Sequence, residues 1–221
     1  MNKELTKRII TSLMLLVATY LMFSYTFILI ISLILISIIS WIEFYALISK
    51  IYTKNNYKIN LLKISIRALS LIYLTFFSLL IFSGINDDTF YLNMIYLICI
   101  CMFSDIGGLV FGKIFKGKKL TKISPNKTIS GSVGSFILSL LLVPFFYYFL
   151  YDKFDNLFNL IILSIVVSFL CQLGDLFFSY FKRKANVKNT SDLLPGHGGF
   201  LDRIDGILFA LPIGMLLWKF L

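Results

Sequence analysis

Between Ile9 and Ile48 the chain reads IITSLMLLVATYLMFSYTFILIISLILISIISWIEFYALI, a run in which Glu43 is the single charged residue. One helix crosses a hydrocarbon core of about 30 Å with roughly 20 apolar residues, so this stretch is long enough to cross twice. Ser24–Thr26 is its least apolar point and suits a tight reversal. Two helices are therefore expected. Lys3, Lys7 and Arg8 precede the run as they would in a signal peptide, but no small-residue cleavage site follows, and the segment is expected to be retained.

Outside this stretch the texture is the same. Of 221 residues, 58% are hydrophobic and 14% charged, with a mean hydropathy of +0.88, so lipid rather than water is the solvent for most of the chain. Further apolar runs near 67–83, 90–112, 133–150, 159–181 and 205–220 bring the expectation to an all-α, polytopic transmembrane bundle of about seven spans. Cys99, Cys101 and Cys171 lie in or beside apolar runs without metal-ligand spacing, and read as packing residues.

The formal net charge of +10 would point to nucleic acid in a soluble protein, but here the cations follow the spans. With the amino terminus placed in the cytoplasm, the inner segments hold 19 of the 21 Lys and Arg residues, whereas Asp87, Asp88, Asp152 and Asp155 fall in outer turns with Lys153. The positive-inside rule then fixes the orientation, in an inner (cytoplasmic) membrane, with membrane lipid and no nucleic acid as partner. Residues 1–100 read as amino-terminal transmembrane helices. Residues 101–221 read as a transmembrane catalytic region with cytoplasmic loops 113–132 and 182–204.

Nearly all the unusual polar chemistry lies in that second part; Glu43, near Trp41 at the cytoplasmic end of the second span, is the exception. Asp105 and Asp175 sit inside spans, each roughly 10 to 12 Å below the cytoplasmic end of its helix at 1.5 Å per residue. An intramembrane carboxylate needs a partner, a wet cavity or a metal; a purely structural pairing is the alternative. Gln172, Asp175, Ser179 and Lys182 follow one helical face toward the cytoplasm. In LLPGHGGFLDRIDG (193–206), Gly196, Gly198 and Gly199 permit close backbone approach to an anion, or simply make a turn. His197, the single histidine, is open to a structural reading as well. Asp202 and Asp205 stand one helical turn apart with Arg203 beside them; they suit Mg²⁺, or else a helix cap and a surface ion pair. A third segment, KGKKLTKISPNKTISGSVGS (116–135), offers Ser124, Lys127 and Thr128 to an anionic group. Carboxylates for a dication and cations for phosphate are the parts that phosphoryl and nucleotidyl transfer require. The protease and hydrolase signatures H-E-x-x-H and G-x-S-x-G are absent.

The segment SYFKRKANVKNTSDLLPGHGGFLDRID (179–205) resembles the signature of the phosphatidate cytidylyltransferases, also called CDP-diacylglycerol synthases. The matching residues are Ser179, Lys182, Arg183, Lys188, Leu194, Pro195, Gly196, His197, Gly198, Gly199, Asp202, Arg203 and Asp205. Gly174–Asp175–Leu176, the S-P-x-K-T of Ser124 to Thr128, and Asp105 with Gly107 look like further motifs of that family. Asn189, Ser130 and Ile106 stand where the family has Asp, Glu and Thr.

The resemblance implies that CTP and phosphatidate give CDP-diacylglycerol and pyrophosphate. It implies Mg²⁺ on Asp175, Asp202 and Asp205, with a monovalent cation such as K⁺ assisting. Lys182 and Arg203 would meet phosphates, and the 196–199 backbone an oxyanion. Ser124, Lys127, Thr128, Ser179, Arg183, Lys188 and His197 would line the substrates, and a homodimer is left open. Two rivals stand beside it: a CTP-dependent kinase of a polyprenol or other lipid alcohol, and a cation-coupled transporter built on Asp105 and Asp175.

Overall fold

The computed structural model describes residues 3–53, 56–85, 90–150 and 157–220. Eight helices account for most of them: α1 (Lys3–Ser24), α2 (Thr26–Ile51), α3 (Tyr57–Ser83), α4 (Phe90–Phe115), α5 (Ile129–Leu140), α6 (Leu142–Leu150), α7 (Leu157–Lys184) and α8 (Leu201–Trp218). Among the described residues there is no strand, only isolated bridges at Lys119–Thr128 and Leu194–Gly198. Asp87, Asp88, Asp152, Lys153 and Asp155, expected in outer turns, lie outside the described residues, as does Lys54.

The expected reversal falls at Tyr25, whose extended backbone (φ −134°, ψ 111°) separates α1 from α2. Three boundaries differ from expectation. Helix α3 begins at Tyr57 rather than near 67, because nothing in YKINLLKISI breaks a helix and its lysines can extend their stems toward the interface. The single span expected over 133–150 is divided at Leu141 into α5 and α6. Pro144 explains the break: it has no N–H to donate, and its ring opposes the carbonyl four residues back, at Leu140. The seventh span, expected over 205–220, is helical from Leu201, but Asp202, Arg203 and Asp205 in its opening turns keep α8 out of the class of long apolar helices.

Among the described residues, six helical segments are long and apolar enough to cross a membrane: Leu5–Ser24, Thr26–Ile51, Tyr57–Ser83, Phe90–Phe115, Ile129–Tyr148 and Leu157–Lys184. Their outward faces carry large apolar side chains, among them Leu16 at 67%, Phe27 at 72% and Leu69 at 65% exposure. Faces of that kind are stable against lipid and not against water. The protein is an integral membrane protein.

The chain forms two compact units, residues 1–87 with 181–204, and residues 88–180 with 205–221. The division expected near residue 100 followed chemistry; these units follow packing. In the first, Leu29, Leu33, Leu47, Ile48, Leu74 and Phe77 form the core, and Phe44 meets Phe181 edge to face at 5.5 Å. Arg67 of α3 lies 3.5 Å over the Tyr45 ring and donates to Ser49 Oγ at 2.9 Å.

In the second unit, α4 and α5 touch backbone to backbone. A Cβ on Gly107 would lie 2.3 Å from the Gly134 carbonyl oxygen, and one on Gly134 2.3 Å from Phe111 Cβ, so both positions need glycine. Hydroxyls fasten this core: Tyr96 to Ser164 at 2.6 Å, Ser104 to Ser168 at 3.0 Å, and Ser135 to the Ser104 carbonyl at 2.6 Å. Without water in the bilayer, each such hydroxyl must find a partner inside the protein. Cys101 and Cys171 are buried and unbridged, in keeping with a packing role.

Candidate active site

The polar residues singled out in the sequence fall into one cluster in each unit. In the second unit the cluster begins with a tight turn. Pro125 supplies the fixed φ of a β-turn closed by Lys127 N–H to the Ser124 carbonyl at 3.0 Å. Flanking bonds from Leu120 N–H to the Lys127 carbonyl and from Ile129 N–H to the Lys118 carbonyl hold the segment against the start of α5. Thr128 caps that helix, its hydroxyl accepting Gly131 N–H at 3.1 Å, and Ser130 Oγ accepts Gly117 N–H at 3.2 Å. Ser124 and Thr128 therefore shape the turn and the helix start.

The turn delivers Lys127 to Asp175, Nζ to Oδ2 at 2.8 Å. Asp175 lies beside a close crossing of α7 and α8. A Cβ on Gly174 would be 2.5 Å from the Asp205 carbonyl oxygen, and one on Gly206 3.3 Å from Asp175 Oδ1. Glycine at 174 and 206 is what lets Asp175 approach the Asp205–Gly206 backbone; Asp205 Oδ1 in turn accepts Gly206 N–H at 2.9 Å. One helical turn before Asp175, Gln172 accepts a hydrogen bond from Ser132. Ser179, one turn after Asp175, is half-buried, while Asp105 is exposed and receives the Cys171 thiol at 3.8 Å.

In the first unit the cluster is built on LPGHGGFLD. Pro195 and Gly196 (φ 79°) occupy the centre of a turn closed by His197 N–H to the Leu194 carbonyl at 2.9 Å, the type II pattern that requires glycine third. Gly198 (φ 84°) continues it, its N–H reaching the same carbonyl at 3.1 Å while Leu194 N–H returns to the Gly198 carbonyl at 2.8 Å. Gly199 is required for space: a Cβ there would fall 1.9 Å from Thr190 Oγ1.

Asp202 gathers the loop. Its Oδ1 receives Lys182 Nζ at 2.7 Å, and its Oδ2 receives Thr190 N–H at 2.9 Å and Gly199 N–H at 3.1 Å. Arg203 is exposed and donates to the His197 carbonyl. The His197 ring meets α1 at both nitrogens, Nδ1 2.6 Å from Thr11 Oγ1 and Nε2 3.4 Å from Ser12 Oγ. Arg183 and Lys188 are exposed.

Two expectations change in light of this geometry. The amides of residues 197, 198 and 199 already serve acceptors within the chain, so what each cluster offers an anion is its cations, Lys127 in the second unit and Lys182 and Arg203 in the first. The three aspartates also differ in what they have left to give. Asp202 is saturated by lysine and amide donors, whereas Asp175 meets Lys127 and lies near the Asp205–Gly206 backbone. Among the described residues no three His, Cys, Asp or Glu side chains group to hold a metal unaided.

Glu43 is the residue to which the sequence reading gave no role. Its carboxylate, 5% exposed, accepts four hydrogen bonds from this loop: Thr190 Oγ1 at 2.7 Å and Leu201 N–H at 2.8 Å on Oε2, Ser191 Oγ at 2.6 Å and Phe200 N–H at 2.9 Å on Oε1. The signal available in the sequence was a lone carboxylate in an otherwise apolar 40-residue run.

The sequence model of the cytidylyltransferase family matches residues 1–221. A phosphatidate cytidylyltransferase of Rickettsia conorii is 42% identical over 146 residues, covering 63% of this chain and 63% of the relative. That of Rickettsia bellii is 43% identical over 143 residues, 62% and 61% of the two chains, and that of Staphylococcus haemolyticus 42% over 121 residues, 54% and 46%. The matched region thus spans less than two thirds of the length of these curated relatives.

Proposed function

Because the chain belongs to the cytidylyltransferase family, we propose that it transfers CMP from CTP to phosphatidate, forming CDP-diacylglycerol and pyrophosphate. The observation that carries this reading is the pair of lysine–aspartate contacts, Lys127–Asp175 and Lys182–Asp202, in the two regions whose motifs resemble that family. Each pair stores a cation able to meet phosphate beside a carboxylate that balances it until substrate arrives. The 42% identity to a relative named phosphatidate cytidylyltransferase supports the same choice of substrates.

In the reaction, a phosphate oxygen of phosphatidate attacks the α-phosphorus of CTP. The bond from that phosphorus to the bridging oxygen breaks, and its electron pair leaves with pyrophosphate. The nucleophile is already anionic, so the protein's task is to position two polyanions and neutralise the leaving group. The cations proposed for that task are Lys127 in the cluster of the second unit and Lys182 with Arg203 in that of the first.

Mg²⁺ fits Asp175 better than Asp202, whose oxygens already meet Lys182 and the amides of Thr190 and Gly199; Asp205 would be the second carboxylate. A dication of this kind needs one or two carboxylates and takes its other ligands from water and substrate phosphates. When bound it would draw charge from the transferring phosphoryl group; K⁺ would add to that neutralisation. The segregation of Lys and Arg supports an active site on the cytoplasmic face of the inner membrane.

The test is to incubate the purified chain with phosphatidate, Mg²⁺ and CTP labelled with ³²P at the α or the γ position. Label in lipid from α alone is expected. Label from γ alone would mean a lipid kinase, and label from neither would overturn the reading.

A further inference from the structure

We propose that Glu43 of α2 is a positioning residue for the reaction, a buried clasp that sets the shape of the loop over residues 190–201. Its importance for catalysis rests on the function proposed above; its hold on the loop does not.

The four donors come from both ends of the loop. Thr190 and Ser191 lie at its beginning, Phe200 and Leu201 at its junction with α8, and one carboxylate gathers them from 147 to 158 residues away in sequence. Two of the four are backbone N–H groups at the start of a helix, where no partner exists within the helix itself. A carboxylate is the one side-chain group that offers enough lone pairs to accept all four at once.

Glu43 cannot also be a ligand for metal or substrate in this arrangement. A Cβ on Gly199 would lie 2.8 Å from its Oε2, so the loop backbone is pressed against the carboxylate and no ion fits between them. The effect is indirect. Thr190 and Gly199, held by or against Glu43, are the residues whose amides donate to Asp202 Oδ2, and Asp202 Oδ1 holds Lys182. The carboxylate therefore fixes Asp202, and through it the ammonium group proposed to meet phosphate.

Glu43→Gln preserves volume and tests the clasp. The amide presents an NH₂ to two of the four donors; a hydroxyl can turn to accept from it, but the backbone N–H on that side loses its acceptor. The full chain in detergent is read by peptide-level hydrogen exchange and by initial rates of CDP-lipid formation at varied CTP. The expected result is exchange over 190–201 faster by roughly tenfold or more with the α4 peptides unchanged. Together with this, kcat/KM for CTP should fall by about 10- to 100-fold with KM raised. A merely structural carboxylate would lower the yield of folded protein and leave KM of the folded fraction at the wild-type value. If Glu43→Gln does not accumulate, Thr190→Val removes one donor at constant volume and should move both readouts the same way, by less. Wild-type exchange over 190–201 would overturn the inference, as would faster exchange with unchanged kcat and KM. If the wild type makes no CDP-lipid, the proposed reaction fails, and the exchange data alone decide whether Glu43 holds the loop.

Discussion

Lys182 Nζ lies 2.7 Å from Asp202 Oδ1, with the two side chains at 13% and 8% of full exposure. So enclosed a pair behaves as a unit, because either charge left alone has little water to turn to.

Asp202→Asn should therefore destabilise the protein as well as inactivate it. The amide must turn its NH₂ either toward the Lys182 ammonium or toward the N–H groups of Thr190 and Gly199, and donor faces donor in both cases. A loss of about 3 kcal/mol or more is expected, visible as a lower unfolding temperature in detergent. The double variant Lys182→Met with Asp202→Asn should recover part of that stability and none of the activity. An Asp202→Asn protein as stable as wild type would refute the enclosed-pair reading.

Asp175→Asn should behave in the opposite way. The Lys127–Asp175 pair is more open, at 29% and 22% exposure, and its contribution to stability is expected to be within about 1 kcal/mol. Turnover should nevertheless fall by roughly 100-fold or more, with a higher Mg²⁺ requirement, if Asp175 holds the dication. A large drop in unfolding temperature with unaltered Mg²⁺ dependence would make Asp175 structural.

The loop glycines should separate by cause. Gly196→Ala places a Cβ at φ 79° and is expected to cost about 1 to 2 kcal/mol from backbone strain alone. Gly199→Ala drives a Cβ to within 1.9 Å of Thr190 Oγ1 and against Glu43, and should be the more damaging of the two. Equal unfolding temperatures for the two variants would show that the loop relaxes around residue 199.

Orientation can be read from position 188, which is exposed. In a background lacking the three native cysteines, Lys188→Cys in sealed inside-out vesicles should react with a membrane-impermeant maleimide and stay unlabelled in intact spheroplasts. Labelling confined to spheroplasts would invert the proposed topology.

Hydropathy along the chain was enough to establish lipid as the solvent, the reversal near Tyr25 and most of the helices, because these depend on each segment's own composition. Pro144 and the P-G pair at 195–196 acted just as locally: proline fixed a break in one place and a turn in the other, and glycine supplied the positive φ the turn required. What composition could not decide was which charges meet. Asp175, Asp202 and Asp205 were all expected on one metal, yet folding gave Asp202 to Lys182 and loop amides and Asp175 to Lys127 near the Asp205–Gly206 backbone. Glu43 stood out as a misplaced charge, but its partners are about 150 residues away, and only the packing of α2 against the loop at 190–201 brings them within hydrogen-bonding distance. Preferences for helix, turn and lipid reside in single segments; the neutralisation of a buried carboxylate resides in the meeting of several, and that is a property of the tertiary structure.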